Sequence, residues 1–380
     1  MNDAERLRAL TARLQALDGL DEDTFERMST ALDRRQSRFG YDAHGRLKVA
    51  FFDAKSYDIE SFDKSNRDRY ALTYISASLD HNTVAAAKGH KAVCIFVNDT
   101  CDAEVVEALA ALGVELVALH CAGFNNVDLE ACGLHGISVA RVPAYSPYAV
   151  AEHTVGLMLM LNRHLHRAYL RNRYGYFVLD GLTGFDMRGK TVGIVGTGNI
   201  GRCVINIVLG FGCRVLALDA FPNPKVSARD GVAYVKPDEL LSLSHIITLH
   251  VPLTPDTRHI VNRSAIAQMR RAVMLINTSR GELVDTRALI DGLKSGTIGA
   301  AGLDVYEEDA GTFFKDLSDQ VLTDDVLARL LTFNNVVVTS HQAFLTREAL
   351  TNIADTTLEN LREFDQGQRG AALSNAVRMP

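Results

Sequence analysis

Apolar and polar positions follow two rhythms along the chain. Short unbroken apolar runs, Val49-Ala50-Phe51-Phe52, Ala92-Val93-Cys94-Ile95-Phe96-Val97 and Leu116-Val117-Ala118-Leu119, predict strands buried on both faces. Helical stretches such as Ala103 to Leu112 lie between them. The same alternation resumes further on, with runs at Val192–Val195, Val215–Leu218, His245–Leu249, Ala272–Ile276, Ala300–Leu303 and Val336–Val338. A long apolar helix is expected over Ala149 to Leu170 and a closing helix over about Thr346 to Gln366. Strand and helix in alternation make parallel sheets covered on both faces, so two α/β units are expected, the second beginning near residue 148. The first 46 residues stand apart. Leu7, Leu10, Leu14 and Leu17, then Phe25, Met28 and Leu32, recur at helical spacing and predict two short amphipathic helices.

The run Val192–Val195 breaks into Gly196-Thr197-Gly198-Asn199-Ile200-Gly201, and the next run ends on Asp219. Strand, Gly-x-Gly-x-x-Gly turn, helix, strand and terminal acid form a dinucleotide-binding fingerprint. Gly196 permits the tight turn, Gly198 lets backbone approach a pyrophosphate, and Gly201 lets helix and strand pack closely. The helix N-terminus supplies free N–H groups to phosphate. Asp219 would accept hydrogen bonds from the adenosine ribose. A carboxylate there, with Ala220 rather than a cation following, favours NAD over NADP.

Composition narrows the remainder. A length of 380 residues suggests two or three domains. With 47% hydrophobic and 23% charged residues the chain reads as an ordinary globular protein. A net charge of −6 leaves no basic footprint for nucleic acid. The six cysteines include no Cys-x-x-Cys pair and read as buried thiols of a reducing compartment. No His/Cys cluster has ligand spacing, so no metal is expected. The polar start Met1-Asn2-Asp3-Ala4-Glu5-Arg6 gives no signal peptide, and the apolar stretch Thr154–Leu161 is too short to span a membrane. A cytoplasmic location is expected.

Ligands of open α/β sheets sit beyond the carboxyl ends of strands, and those ends carry the chemistry. Arg280, in Asn277-Thr278-Ser279-Arg280-Gly281, offers a planar fork for a carboxylate. His341, in Thr339-Ser340-His341-Gln342, is a candidate proton donor. One carboxylate of the run Asp304-Val305-Tyr306-Glu307-Glu308-Asp309 would pair with that histidine and stabilise its charged form. The spacing alone does not choose among them. A carboxylate clamp, a proton donor and an orienting acid are what hydride transfer to a 2-oxo acid needs beside the cofactor.

Together these residues resemble the D-isomer-specific 2-hydroxyacid dehydrogenase family, closest to its bacterial fermentative D-lactate branch. The resemblance spans roughly residues 47 to 370. It is carried by Cys94-Ile95-Phe96-Val97-Asn98-Asp99, Cys121-Ala122-Gly123-Phe124-Asn125-Asn126-Val127-Asp128, Val142-Pro143-Ala144-Tyr145-Ser146, Ala151-Glu152-His153, Leu182-Thr183-Gly184-Phe185 and His341-Gln342-Ala343-Phe344-Leu345-Thr346. It implies two flavodoxin- or Rossmann-like parallel-sheet domains with an interdomain cleft, preceded here by the helical extension 1–46. A substrate domain would begin over 47–147, an NAD-binding domain would occupy 148–341, and residues 342–380 would return to the substrate domain. It implies that Arg280 binds the substrate carboxylate and that His341 is the acid/base.

The family's orienting carboxylate falls at Asp309, where the family usually has Glu. The side chain is one methylene shorter, a deficit of roughly 1.5 Å, and Glu308 is the reserve candidate. Cofactor contacts are implied at Asn199, Ile200, Asp219, Val251, Pro252, Thr257, Thr278 and Ser279, with Asp304 on the nicotinamide carboxamide. Backbone of Val97 and Asn98 would hold the substrate carboxylate. Phe344, and more weakly Tyr145, would wall off its methyl group. The implied reaction joins NADH and pyruvate to D-lactate and NAD, in a homodimer or homotetramer. Another small acid, such as hydroxypyruvate or phenylpyruvate, is the alternative, and an NAD(H)-sensing binding module the more distant one. Two departures stand out: His120 where close relatives usually have Arg, and the added N-terminal 46 residues.

Overall fold

The structure is a computed structural model that describes residues 39–308, 313–314 and 316–377. The predicted N-terminal helices, with Leu7, Leu10, Leu14, Leu17, Phe25, Met28 and Leu32, lie outside the described residues, as does Asp309. The chain forms two compact units, one from the described residues of Met1–Tyr145 and Thr346–Pro380, the other from Ser146–Leu345.

In the first unit the order is β1 (Lys48–Phe51), α1 (Ser56–Asn66), β2 (Ala71–Tyr74), β3 (Ala92–Ile95), α2 (Ala103–Ala111), β4 (Leu116–Leu119), α3 (Leu129–Leu134) and β5 (Ser138–Ala140). The strands pair in parallel in the order β2-β1-β3-β4-β5, the flavodoxin-like arrangement. β3 and β4 are buried at every position, as continuous apolar runs require. The β3 run was expected to reach Val97, but it ends at Ile95 because the backbone N–H of Phe96 turns to the Asp99 carboxylate. α1 is largely polar. Its sequence, Ser56-Tyr57-Asp58-Ile59-Glu60-Ser61-Phe62, shows little apolar periodicity, and it is held by burial of Phe62 beside Phe51.

The second unit opens with α4 (Pro147–Asn162) and α5 (Leu165–Arg173), then β6 (Thr191–Val195), α6 (Asn199–Gly210), β7 (Arg214–Leu218), α7 (Pro224–Ser227), β8 (Val232–Tyr234), α8 (Pro237–Leu243), β9 (Ile246–Leu249), α9 (Arg263–Gln268), β10 (Val273–Asn277), α10 (Thr286–Ser295), β11 (Ile298–Leu303), α11 (Asp325–Leu331) and β12 (Val336–Val338). Its seven strands are parallel in the order β12-β11-β10-β9-β6-β7-β8. The order reverses between β6 and β9, which places a ligand crevice beyond their carboxyl ends. One apolar cluster, including Leu249, Leu275 and Leu289, lies against the sheet; a second, including Met158, Ile194 and Val204, joins α4 and α6 to it.

The single helix expected over 149–170 is two helices. His164 adopts the left-handed conformation (φ 50°), and the Asn162 amide bonds both backbone groups of Phe185. A left-handed residue interrupts the i→i−4 ladder whatever the apolar pattern does. The closing helix α12 (Arg347–Asp365) is capped by Thr346, whose hydroxyl accepts from the Ala349 N–H, and packs on α1 and β4 of the first unit.

Candidate active site

The glycine turn is built as its sequence demands. Gly196 has φ 97°, and a Cβ there would lie 2.5 Å from the His250 carbonyl oxygen. At Gly201 a Cβ would lie 2.0 Å from the Gly196 carbonyl oxygen, so only glycine lets α6 start this close to β6. A Cβ on Gly198 would meet nothing within 4 Å, which leaves open space in front of the turn. Gly198 is the N-cap of α6 and contributes no side-chain cap. The first-turn N–H groups, at Asn199 and Ile200, therefore face outward without intrahelical partners, the setting that suits a pyrophosphate.

Asp219 follows β7 and is half-buried. Its Oδ2 accepts from the Thr197 N–H at 2.6 Å and the Thr197 hydroxyl at 2.8 Å, and its Oδ1 from the Phe221 N–H at 2.9 Å. Burial raises the carboxyl, but the Phe221 and Thr197 bonds outweigh it and hold the group below its ordinary range. A carboxylate has about four acceptor sites, so capacity remains for ribose hydroxyls.

The loops after β9 and β10 are tied to each other. Ser279 donates its hydroxyl to the Val251 carbonyl at 2.7 Å, and Thr257 donates to the Pro252 carbonyl at 2.7 Å. Thr278 lies 2.8 Å from the Thr154 hydroxyl of α4. Thr154 gives its own proton to Val150, so Thr278 is the donor. These hydroxyls shape the loops and leave mainly backbone for a ligand. Arg280 is half-buried, with Nη1 donating to the Ser279 carbonyl at 2.7 Å.

Asp304, after β11, is only 1% exposed. Its carboxylate accepts from the Thr339 hydroxyl at 2.5 Å and from the N–H groups of Gln342 and Ala343, both at 2.9 Å. His153 of α4 approaches the same carboxylate at 3.4 Å and the Thr339 hydroxyl at 3.1 Å. Burial would raise Asp304, but the bonds from His153, Thr339 and Ala343 win and keep it low. The Asp304 carbonyl also accepts from the His341 N–H at 2.7 Å. One residue thus folds the 339–343 turn around itself and holds His341 in the left-handed conformation, φ 53°. Non-glycine residues in that region persist only where the surroundings fix them, and they gather at functional sites. Burial lowers His341 to about 4, the Asp304 charge opposing this and the Arg280 charge adding to it. Arg280 and His341 therefore share one electrostatic environment.

Phe344 is buried three residues beyond His341. Val97 and Asn98 form a turn of the first unit, held by Asp99, which accepts from Phe96 and Leu79 N–H, and by Asn126, which donates to the Phe96 and Asp99 carbonyls. Burial raises the Asp99 carboxyl to about 7. Tyr145 lies in the same unit and its carbonyl accepts from Asn352. His120 is buried among Phe51, Phe62 and Phe96, 3.8 Å from Asp58. Of the acidic run, Glu307 pairs with His259 at 2.6 Å rather than with His341, and Glu308 is exposed.

Residues 155–343 match the model of the D-isomer specific 2-hydroxyacid dehydrogenase NAD binding domain. A 2-hydroxyacid dehydrogenase homolog of Haemophilus influenzae is 52% identical over 323 residues, 85% of this chain and 97% of the relative. The chain belongs to the D-isomer-specific 2-hydroxyacid dehydrogenase family. D-lactate dehydrogenase of Escherichia coli is 48% identical over 85% of this chain and 98% of its own. The apo-structure of that enzyme superposes with a TM-score of 0.80, covering 87% of this chain and 100% of that one. D-lactate dehydrogenase from Aquifex aeolicus, solved with NAD and lactic acid, matches at TM-score 0.76 and 31% identity, over 87% of this chain and 99% of that chain. As a family member, the chain is an NAD-dependent dehydrogenase, and the open glycine turn with Asp219 fits that cofactor.

Thr197, His153, Thr339 and His259 carry no role that the sequence assigns, and Glu307 stands there only as one carboxylate of the acidic run. His153 and Thr339 do stand inside or beside segments that carried the resemblance, and that adjacency was the available signal.

Proposed function

We propose that this chain reduces pyruvate to D-lactate with NADH, reversibly. The observation that carries the reading is the Asp304-centred turn, which fixes His341 in a strained conformation within electrostatic reach of Arg280. Relatives and structural neighbours named D-lactate dehydrogenase support the choice of acid. Bound NADH supplies the hydride. Arg280 holds the substrate carboxylate, and His341 gives a proton to the carbonyl oxygen as the alcohol forms. Phe344 restricts the substrate side chain, and Asp309, at the position where the family carries its orienting carboxylate, orients His341. Thr278, Ser279, Val251 and Pro252 line the nicotinamide side mainly through backbone, and Asp304 also receives the carboxamide. Replacing His341 by Ala should lower turnover by about 10²–10⁴-fold at neutral pH. Unchanged turnover in that variant would remove the assignment.

The exposed apolar side chains on and after α5, Tyr169, Tyr174, Phe177 and Leu179, support assembly into a homodimer or homotetramer, and a monomer in sedimentation analysis would contradict it. The enzyme is proposed to work in the cytoplasm. Among the described residues no helix is long and apolar enough to cross a membrane, and all six cysteines are buried.

A further inference from the structure

Among the described residues, and outside the groups already assigned a role, His259 and Glu307 form a closely tied ionisable pair at the strand ends. His259 belongs to the loop after β9, and Glu307 to the segment after β11. His259 Nε2 lies 2.6 Å from one Glu307 carboxylate oxygen. The other oxygen accepts from the N–H of Thr286, first residue of α10, at 3.2 Å. That N–H belongs to a helix's first turn and has no partner inside the helix. The pair is partly sheltered, with side chains 35% and 22% exposed.

Two further features join this pair to Arg280. Gly281 follows Arg280 directly, and a Cβ there would lie 1.9 Å from the Tyr306 carbonyl oxygen and 2.5 Å from the Glu307 nitrogen. The Arg280–Gly281 backbone therefore rests on the Tyr306–Glu307 peptide with no side chain between. His259 is itself left-handed, φ 50°, and its N–H donates to the Glu282 carbonyl at 2.8 Å. Two residues further on, Val261 bridges Val284 in parallel. The loop bearing Thr257 and the N-terminus of α10 thus meet at the Glu307 carboxylate, while the turn bearing Arg280 rests on the backbone of the same segment.

We infer that the His259–Glu307 pair is a positioning device that sets the Arg280 guanidinium for the substrate carboxylate. It acts through the Gly281 contact on Tyr306–Glu307 and through the N-terminus of α10. Neither residue is given a contact with substrate. The inference rests on the proposed 2-oxo acid reduction. Because the device acts on Arg280, it should govern binding of the acid far more than binding of NADH. A shift of about 1 Å in a positioned group can lower kcat/KM by as much as 10²-fold.

The test uses the full-length His259→Ala, His259→Gln, Glu307→Ala and Glu307→Gln variants and the Ala/Ala double variant. NADH affinity, KM and kcat for pyruvate, and binding of oxamate, a non-reducible pyruvate isostere, to the NADH complex are measured. The expected result is a KM and an oxamate Kd raised about 10-fold in each Ala variant, with kcat changed less and the NADH Kd within about twofold. The Gln variants should recover most of the loss, and the double variant should be no worse than either single one, since a pair acting as a unit is non-additive. Unchanged KM and oxamate Kd, a parallel loss of NADH affinity and melting temperature, or additive single losses would each overturn the positioning role. A wild-type chain that neither reduces pyruvate nor binds oxamate would instead overturn the functional reading beneath it.

Discussion

Two aspartates close two strands of one sheet, Asp219 after β7 and Asp304 after β11, and their surroundings make them different instruments. Asp219 is half-buried, and its bonds come from nearby turns, Thr197 and Phe221. Asp304 is sealed from solvent and takes its bonds from His153 of α4 and from residues 35 to 39 positions further along the chain. Both carboxyls lie below their ordinary range, because N–H and O–H donors outweigh the burial that would raise them. The first retains acceptor capacity on an accessible face, which suits a ligand that comes and goes. The second is given mainly to shape, and its chief product, beside its proposed part at the carboxamide, is the position of His341. Similar donor chemistry thus yields a binding group where water reaches it and a framework group where water does not.

The contrast can be broken by removing one charge at a time. Asp304→Asn should have the larger effect. An amide can accept on one oxygen only, so at least one of the Thr339, Gln342 and Ala343 donors is left without its bond in a buried place, at a cost of about 1–3 kcal/mol. The His341 turn should loosen, and kcat/KM should fall about 10²-fold or more. A pH shift should accompany the loss. His341 is already lowered to about 4 by burial, and the Asp304 charge is the influence that raises it. Without that charge the imidazole holds its proton less well. The pH limb for 2-oxo acid reduction, which needs the protonated ring, should then move to lower pH. Oxidation of the hydroxy acid, which needs the neutral ring, should suffer less. Steady-state pH profiles in both directions decide this; a limb that stays in place in the variant contradicts the electrostatic link.

Asp219→Ala should have a smaller and more selective effect. NADH affinity should weaken by about tenfold, equivalent to roughly 1.4 kcal/mol, while NADPH binding should improve relative to it because the charge facing a 2′-phosphate is gone. Fluorescence titration with both dinucleotides measures it. An equal change for the two would show that Asp219 serves the Thr197 turn rather than the ribose.

The same comparison explains what could be read from the chain beforehand. The glycine turn and Asp219 are separated by one helix and one strand, so spacing carried them, and the apolar runs carried the two parallel sheets. Arg280, His341 and Asp304 were recognisable one at a time as polar residues at strand ends. Their mutual arrangement was not, because the Asp304 partners are set by strand order and not by local spacing. The acidic run illustrates the limit. Its composition suggests a partner for His341, yet Glu307 belongs to His259, a residue 48 positions earlier that no local pattern connects to it. The break at His164 escaped the apolar pattern because a backbone conformation and an Asn162 amide decide it, and α1 escaped because its faces are barely amphipathic.

The most direct test of the account is NADH oxidation by the wild-type chain with pyruvate at neutral pH, with the product resolved by enantiomer. The account predicts rapid turnover to D-lactate, faster than with phenylpyruvate. NADH binding without turnover on pyruvate or any other 2-oxo acid, or a product of the L configuration, would contradict it.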